Sequence, residues 1–190
     1  MAQVRAATAT AVRDVITCEP DYLIMGMSSE TFWGGRRGNA AFQRRILDLS
    51  GLRVATGASA CERALAVLGV RRVGVVTPYP SLIDAQMRGF LEECDCHVIV
   101  VHSLKCASAV AIAQQDKATL RRALLDVNRP EVEAIVQFGT NLSMLRLADE
   151  AERWLGKPVI AINAATFWHA LRENDIPDRL RGFGCLLREH

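Results

Sequence analysis

Two stretches of the sequence join a short apolar run to residues that can hold an anion. They are residues 21–31 (DYLIMGMSSET) and residues 133–144 (EAIVQFGTNLSM), and in each a glycine precedes hydroxyl or amide side chains. A strand that opens a helix in this way ends at the carboxyl edge of a parallel sheet, where helix N-termini point unpaired N–H groups at a ligand. Two such edges facing each other would form one anion site. The alternative is two ordinary strand-to-helix turns capped by Ser and Asn.

The positions of these stretches depend on an alternation of strands and helices along the chain. The patterns predict strands at 22–25, 52–55, 73–77, 97–101, 133–138 and 158–162, and helices at 2–17, 39–49, 59–68, 81–94, 116–127, 146–155 and 164–173. Gly34, Gly35 and Gly38 indicate a flexible turn, and the residues after 173 a turn-rich tail. Strands that alternate with helices of about ten residues are typical of an α/β fold with a parallel sheet and right-handed crossovers.

The elements divide into two lobes. Residues 58–163 contain four of the predicted strands and make a complete four-stranded parallel sheet. Residues 1–57 plus 164–190 form a first lobe in which only two strands are visible.

Composition narrows the class of protein. With 190 residues, 50% hydrophobic and 23% charged, the chain is globular, and its net charge of +2 gives no field suited to nucleic acid. No apolar run approaches the roughly 20 residues that a membrane span needs, and residues 1–12 lack the apolar segment of a secretory signal. We therefore expect a cytoplasmic protein with no nucleic-acid or membrane partner.

The six cysteines do not form a disulfide or metal pattern. They are Cys18, Cys61, Cys94, Cys96, Cys106 and Cys185. Their spacing is not that of a disulfide scaffold, and the C-x-C pair at 94 and 96 is not the C-x2-C of a zinc knuckle. We expect reduced thiols that pack as small hydrophobic side chains, and no metal site.

Several segments together resemble the Asp/Glu racemase superfamily, in the branch of arylmalonate decarboxylase and maleate cis-trans isomerase. They are LIMGMSSETFWGG, GVRRVGVVTPY, IVQFGTNL, ERWLGKPVIAINAATFWHALREN and GFGCLL, in the order and spacing of that family. The resemblance implies a cofactor-free enzyme, built from two similar flavodoxin-like halves with the active site between them. It also implies a small carboxylate as the substrate.

The sequence departs from the family at its reactive positions. Members typically carry a cysteine at the end of one or both of the two strands, and here those positions fall on Gly26 and Gly139. Glycine cannot carry a proton, so racemisation by a pair of cysteines is excluded. A cysteine proton donor would have to be Cys106 or Cys61, either of which is also explained as a packed thiol. A Gly139→Cys variant should gain turnover, provided that the glycine does not have φ > 0.

The anion-holding residues are kept. The resemblance implies catalytic roles for Tyr79, which has the place of the family's active-site tyrosine, and for Ser28. The substrate-binding residues would be Gly26, Met27, Ser29, Gly139, Thr140 and Asn141. Hydroxyl, amide and backbone N–H donors in a dry cleft stabilise the enolate-like charge that develops when a carboxylate leaves or a C–H proton is removed. Helix capping and ring packing are the alternative roles for Ser28, Asn141 and Tyr79.

The first lobe lacks the N-terminal strands that the resemblance implies. An unpaired strand edge with apolar surface indicates oligomerisation, aggregation or an incomplete chain, and of these we expect a homo-oligomer. The function expected is a cofactor-independent isomerase or decarboxylase, acting on a small carboxylate or dicarboxylate such as maleate or a substituted malonate. The alternative is a non-catalytic carboxylate-binding or assembly protein of the same fold.

Overall fold

The computed structural model describes residues 2–27 and 29–190 and contains two parallel sheets. The strands are β1 Leu23–Ile24, β2 Val54–Ala55, β3 Arg72–Thr77, β4 His97–Ser103, β5 Ala134–Gln137 and β6 Val159–Ala161. The helices are α1 Ala2–Ile16, α2 Gly35–Ser50, α3 Gly57–Leu68, α4 Ser81–Glu93, α5 Ala109–Ala113, α6 Lys117–Val127, α7 Leu145–Leu155, α8 Ile162–Glu173 and α9 Cys185–Glu189, with a 3₁₀ turn at Ser29–Phe32. In this part of the chain, no helix is both long and apolar enough to cross a bilayer.

The larger sheet has the strand order β4-β3-β5-β6 and is parallel throughout. Val73 pairs with Ala134, and Val136 pairs with Ile160, so the carboxyl ends of β3, β5 and β6 lie at one edge. β1 and β2 form a separate parallel pair. The predicted α/β class and the parallel order of the strands between residues 73 and 162 are confirmed.

The central strands are apolar because helices cover both faces of the larger sheet. Val73, Val76 and the β5 residues Ala134 to Val136 are all 0% exposed. A smaller cluster fills the space between α1, α2 and the β1–β2 pair, with Val12, Leu23 and Ile46 among its members. Helix α8 packs against α3 and also touches β1 and β2. The division into 1–57 plus 164–190 and 58–163 stays a prediction.

The glycines at 34, 35 and 38 do not form the flexible turn that the sequence predicted. Gly34 has φ +78°, and α2 begins directly after it, with the Gly38 N–H donating to the Gly34 carbonyl. A Cβ at Gly38 would overlap the Trp33 carbonyl group. The glycine therefore allows a close approach of helix and loop, which is a packing role. Three short elements were also missed: the 3₁₀ turn, α5 and α9.

A buried carboxylate fixes the C-terminal segment to α7. Asp149, 6% exposed, accepts hydrogen bonds from Arg153, from Arg188 at 3.3 Å and from the Gly184 N–H at 3.2 Å. Glu152, on the same helix, accepts from the Cys185 N–H at 2.7 Å. Burial alone would raise the pKa of the Asp149 carboxyl, but these donors outweigh it and hold the pKa below its ordinary 3.8.

An Asp149→Asn variant should lose about 2 kcal/mol of unfolding free energy at pH 7, because Arg153 loses its carboxylate partner and Arg188 is left with Glu152 and Glu189. Since the folded pKa is depressed, this contribution is present above the unfolded pKa and is lost as the pH falls through the folded pKa. Urea unfolding at pH 7 and at about pH 3 measures both effects, and the difference between variant and wild type should shrink at the lower pH.

The control for this prediction is Asp48→Asn, which removes the exposed ion pair between Asp48 and Arg44 on α2. We expect this variant to lie within about 0.5 kcal/mol of the wild type. Equal losses in the two variants would show that burial of Asp149 adds nothing to its ion pairs.

Candidate active site

Hydrogen bonds from the end of β3, from the end of β4 and from the loop after β4 hold the segment that follows β3. The Thr77 side-chain oxygen accepts from the Tyr79 N–H at 3.2 Å, and the Ser103 hydroxyl donates to the Tyr79 carbonyl. The Cys106 N–H donates to the Pro78 carbonyl at 2.8 Å. Tyr79 is half-buried and packs against the main core. Its backbone is therefore fixed on both sides at the carboxyl edge of the sheet.

The turn after β5 packs directly against this segment. Gly139 has φ +96°, and a Cβ built on it would lie 2.5 Å from Pro78 Cγ, 2.8 Å from Pro78 Cδ and 3.7 Å from the Tyr79 hydroxyl. Only glycine fits both the left-handed backbone and this contact. The structure thus brings Gly139 and Tyr79, both assigned to the site from the sequence, close together. The condition attached to the Gly139→Cys expectation is not met, so a gain of turnover no longer follows for the single substitution.

The same turn presents donors without a protein partner. Within residues 2–27 and 29–190, no hydrogen bond uses the N–H groups of Gly139, Thr140 or Asn141, or the hydroxyls of Tyr79 and Thr140. Consecutive N–H groups in a turn with a left-handed residue can converge on an anion. The arrangement is suited to a carboxylate or an oxyanion.

Aromatic packing connects the segment that follows residues 21–31 to the stretch at residues 133–144. The Phe32 ring meets the Phe138 ring edge-to-face, with centroids 4.8 Å apart, and the Phe90 ring at 4.9 Å. Thr31 accepts from the Ala58 N–H at 3.2 Å. The 3₁₀ turn, which begins at the half-buried Ser29, is thereby docked on the residue that precedes Gly139. Ser28, predicted as catalytic, lies outside the described residues.

The remaining predicted residues line two different cavities. Gly26 and Met27 border an apolar groove of about 540 Å³ along α1, β1 and α2. Thr140 and Asn141 line a second cavity of about 550 Å³, next to the starts of α6 and α7. Asn141 is exposed, and its amide donates to the Ala109 carbonyl at 3.4 Å. A cleft shared by Ser28, Tyr79, Thr140 and Asn141 stays a prediction.

The two thiols considered as replacement donors differ in position. Cys61 is 0% exposed in α3, and burial raises its thiol pKa well above 9.0. Cys106 is half-buried beside Pro78, and burial raises its pKa as well. Both thiols stay protonated at neutral pH, so they are poor nucleophiles. Cys106 lies at the same sheet edge as Tyr79.

Sequence reasoning missed four residues that shape the site. They are Phe32, Pro78, Gln137 and Asn163, of which Gln137 is 1% exposed. Gln137 could have been found, because a polar residue at the end of the apolar run AIVQF needs a partner when buried. The described residues contain no group of three or more His, Cys, Asp or Glu side chains arranged to hold a metal ion.

Gly139→Ala should destabilise the fold by about 2 kcal/mol or more, because the new Cβ meets Pro78 and the backbone has a positive φ. Gly26→Ala is the matched control. A Cβ at Gly26 meets no atom within 4 Å, and its φ lies outside the left-handed region, so we expect a change within about 0.5 kcal/mol. Urea unfolding of both variants is the measurement. Equal stability of the two would contradict the close contact at Gly139.

Comparison with known proteins agrees with the resemblance read from the motifs. An arylmalonate decarboxylase from Bordetella bronchiseptica is 32% identical over 151 residues, covering 78% of this chain and 62% of the relative. A maleate isomerase from Nocardia farcinica is 28% identical over 137 residues, covering 72% of this chain and 55% of the relative. The chain thus spans 55% to 62% of the length of these two relatives.

The fold is also that of solved structures of the same group. A crystal structure of a double mutant of arylmalonate decarboxylase in its liganded form has a TM-score of 0.91 at 27% identity, covering 97% of this chain and 80% of that one. The family model described as arylmalonate decarboxylase matches residues 5–187. The chain therefore belongs to the arylmalonate decarboxylase family.

Proposed function

We propose that this protein is a cofactor-independent enzyme that decarboxylates a small dicarboxylate of the substituted-malonate class through an enolate-like intermediate. The observation that carries the proposal is that the N–H groups of Gly139, Thr140 and Asn141 have no partner among the described residues, while a Cβ at Gly139 would lie 3.7 Å from the Tyr79 hydroxyl. Its family membership and its similarity to proteins named arylmalonate decarboxylase and maleate isomerase support the same class of chemistry.

The proposed reaction begins with one carboxylate of the substrate at the turn. The bond from the α-carbon to the second carboxylate breaks and CO₂ leaves. The electron pair passes into the retained carboxylate, which becomes an enediolate. The N–H groups of the turn and the Tyr79 hydroxyl stabilise this added negative charge, since they are already oriented before the reaction. Ser28 and Ser29 are proposed as the opposite wall, whereas Gly26 and Met27 border the separate apolar groove.

A proton must then reach the α-carbon, and we assign this step to the Cys106 thiol. Cys106 follows β4 at the edge that carries Tyr79, and burial keeps its thiol protonated. The S–H bond breaks as the new C–H bond forms, and the thiolate recovers a proton from water. A donor of this kind needs a protonated thiol, which a raised pKa supplies.

Raised thiol pKa values also support the choice of decarboxylation over isomerisation in this proposal. Cofactor-free isomerisation of maleate needs a nucleophile that adds to the double bond, so that the single bond formed can rotate, and a thiolate suits this role. Burial raises the thiol pKa of Cys94 to about 12, of Cys96 to about 11 and of Cys185 to about 12, and it raises those of Cys61 and Cys106. These thiols favour proton donation over nucleophilic addition.

Tyr79→Phe should lower kcat by about 10²- to 10³-fold, because it removes one donor to the enediolate. The assay follows phenylmalonate in deuterated water by NMR, where decarboxylation gives a product carrying deuterium at the α-carbon. Tyr22→Phe is the control, since Tyr22 is the only other tyrosine and packs against Arg53 before β1. Equal rates in wild type and Tyr79→Phe would remove Tyr79 from the mechanism.

Cys106→Ala should lower turnover of phenylmalonate by at least roughly 100-fold, because the α-carbon loses its proton donor. Cys61→Ala, which removes a buried thiol from α3, should leave turnover unchanged. The wild-type rate should stay level through neutral pH and fall above the ordinary thiol pKa of 9.0, as the raised Cys106 pKa is passed. Full activity in Cys106→Ala would place the donor elsewhere.

The alternative function, a non-catalytic carboxylate-binding or assembly protein, has one supporting observation, which is that glycine stands at both expected cysteine positions. Malonate binding by the wild type without turnover of phenylmalonate, methylmalonate or maleate would favour that alternative.

A further inference from the structure

A buried amide side chain is fastened to the turn at Gly139. Gln137, the last residue of β5, is 1% exposed among apolar neighbours. Its Nε2 donates to the Phe138 carbonyl at 2.5 Å and to the Gly139 carbonyl at 2.9 Å. Burying an amide costs free energy unless its hydrogen bonds are made. We therefore ask what the two hydrogen bonds of Gln137 do for the turn.

A second side-chain amide, on helix α8, binds the next carbonyl of the same turn. Asn163, in the first turn of α8, donates from Nδ2 to the Thr140 carbonyl at 2.9 Å. Three consecutive carbonyls, those of Phe138, Gly139 and Thr140, therefore accept hydrogen bonds from two side-chain amides. A further bond, from the Leu142 N–H to the Gly139 carbonyl at 3.1 Å, closes the turn.

The geometry of the peptide unit links the direction of these three carbonyls to the direction of three N–H groups. In a planar trans peptide the C=O of one residue and the N–H of the next point in opposite directions. The carbonyls of Phe138, Gly139 and Thr140 thus share their peptide units with the N–H groups of Gly139, Thr140 and Asn141. These are the N–H groups without a partner in the described structure. Holding the three carbonyls on the side of the two amides directs the three N–H groups away from them.

We propose that Gln137 and Asn163 are positioning residues that fix these three peptide units with their N–H groups toward a bound carboxylate, an inference that rests on the proposed function. Without the amides, a peptide unit can rotate and present its carbonyl to the ligand. A carbonyl oxygen repels a carboxylate, so a single rotated unit exchanges a donor for a repulsive contact. Gln137 holds two of the three units and has the larger effect.

The test compares ¹⁵N-labelled full-length wild type with Gln137→Met, which keeps the size of the side chain and removes its donor. Two-dimensional amide spectra are recorded without ligand and during titration with sodium malonate. In Gln137→Met the ligand-free amide peaks of Gly139, Thr140 and Asn141 should move, and the Kd for malonate should rise by roughly tenfold. Asn163→Leu should produce a smaller rise, of about threefold, because it frees one carbonyl.

Asn174→Leu is the control for loss of a part-buried hydrogen bond from a side-chain amide. Asn174 donates from Nδ2 to the Ala170 carbonyl at 2.8 Å at the opposite end of α8. The Asn174→Leu variant should be less stable in urea, with unchanged amide peaks for the turn and an unchanged Kd for malonate. If Gln137→Met does not fold, Gln137→Glu serves in its place, because a carboxylate faces the two carbonyls with an acceptor and should weaken malonate binding in the same direction.

The outcomes separate this inference from the proposed function. Unmoved turn peaks in the Gln137 variant, or an unchanged malonate Kd, overturn the positioning role. Equal rises in Kd for Gln137→Met and Asn174→Leu at matched stability also overturn it. A wild type that neither binds nor decarboxylates malonates overturns the proposed function alone, and the ligand-free peaks of the turn then decide whether Gln137 holds it.

Discussion

The contact between the Pro78 ring and the Gly139 backbone sets the form of the candidate site. A Cβ at residue 139 would lie 2.5 Å from Pro78 Cγ, and φ at this residue is +96°. Both facts require glycine, and together they bring the turn after β5 against the segment that carries Tyr79. A reactive side chain at position 139 is therefore incompatible with this loop. Removing the Pro78 ring would be the first step in making room for one.

The rest of the site is arranged so that its donors need not reorganise. Phe32 and Phe138 pack beneath the turn with their centroids 4.8 Å apart, and hydrogen bonds from the end of β4 hold Tyr79. Gln137 and Asn163 occupy the carbonyl side of the turn. Stabilisation of a developing charge depends on dipoles that are fixed before the reaction. A rigid parallel sheet, buried on both faces, provides that fixed support.

Burial has a chemical consequence as well as a structural one in this protein. It raises the pKa of the Cys106 thiol, which keeps the proton in place at neutral pH. A protonated thiol can neutralise a carbanion, whereas addition to a double bond requires the thiolate. The same fold can therefore support decarboxylation or isomerisation, according to the environment of a sulfur atom. We propose that the environment in this chain favours decarboxylation.

The sequence by itself determined the class of fold, the strands from 73 to 162 and the family, because these depend on local apolar periodicity and on motifs in a fixed order. It also assigned Gly139 and Tyr79 to one candidate site. The positive φ of Gly139, the Pro78 contact and the amide bonds of Gln137 and Asn163 were decided by the tertiary structure. Each joins residues that lie on different elements or depends on side-chain direction, which periodicity does not encode. The helical placement of Gly35 differs from prediction for the same reason, since the close approach of Glu93 on α4 to this glycine is a tertiary contact.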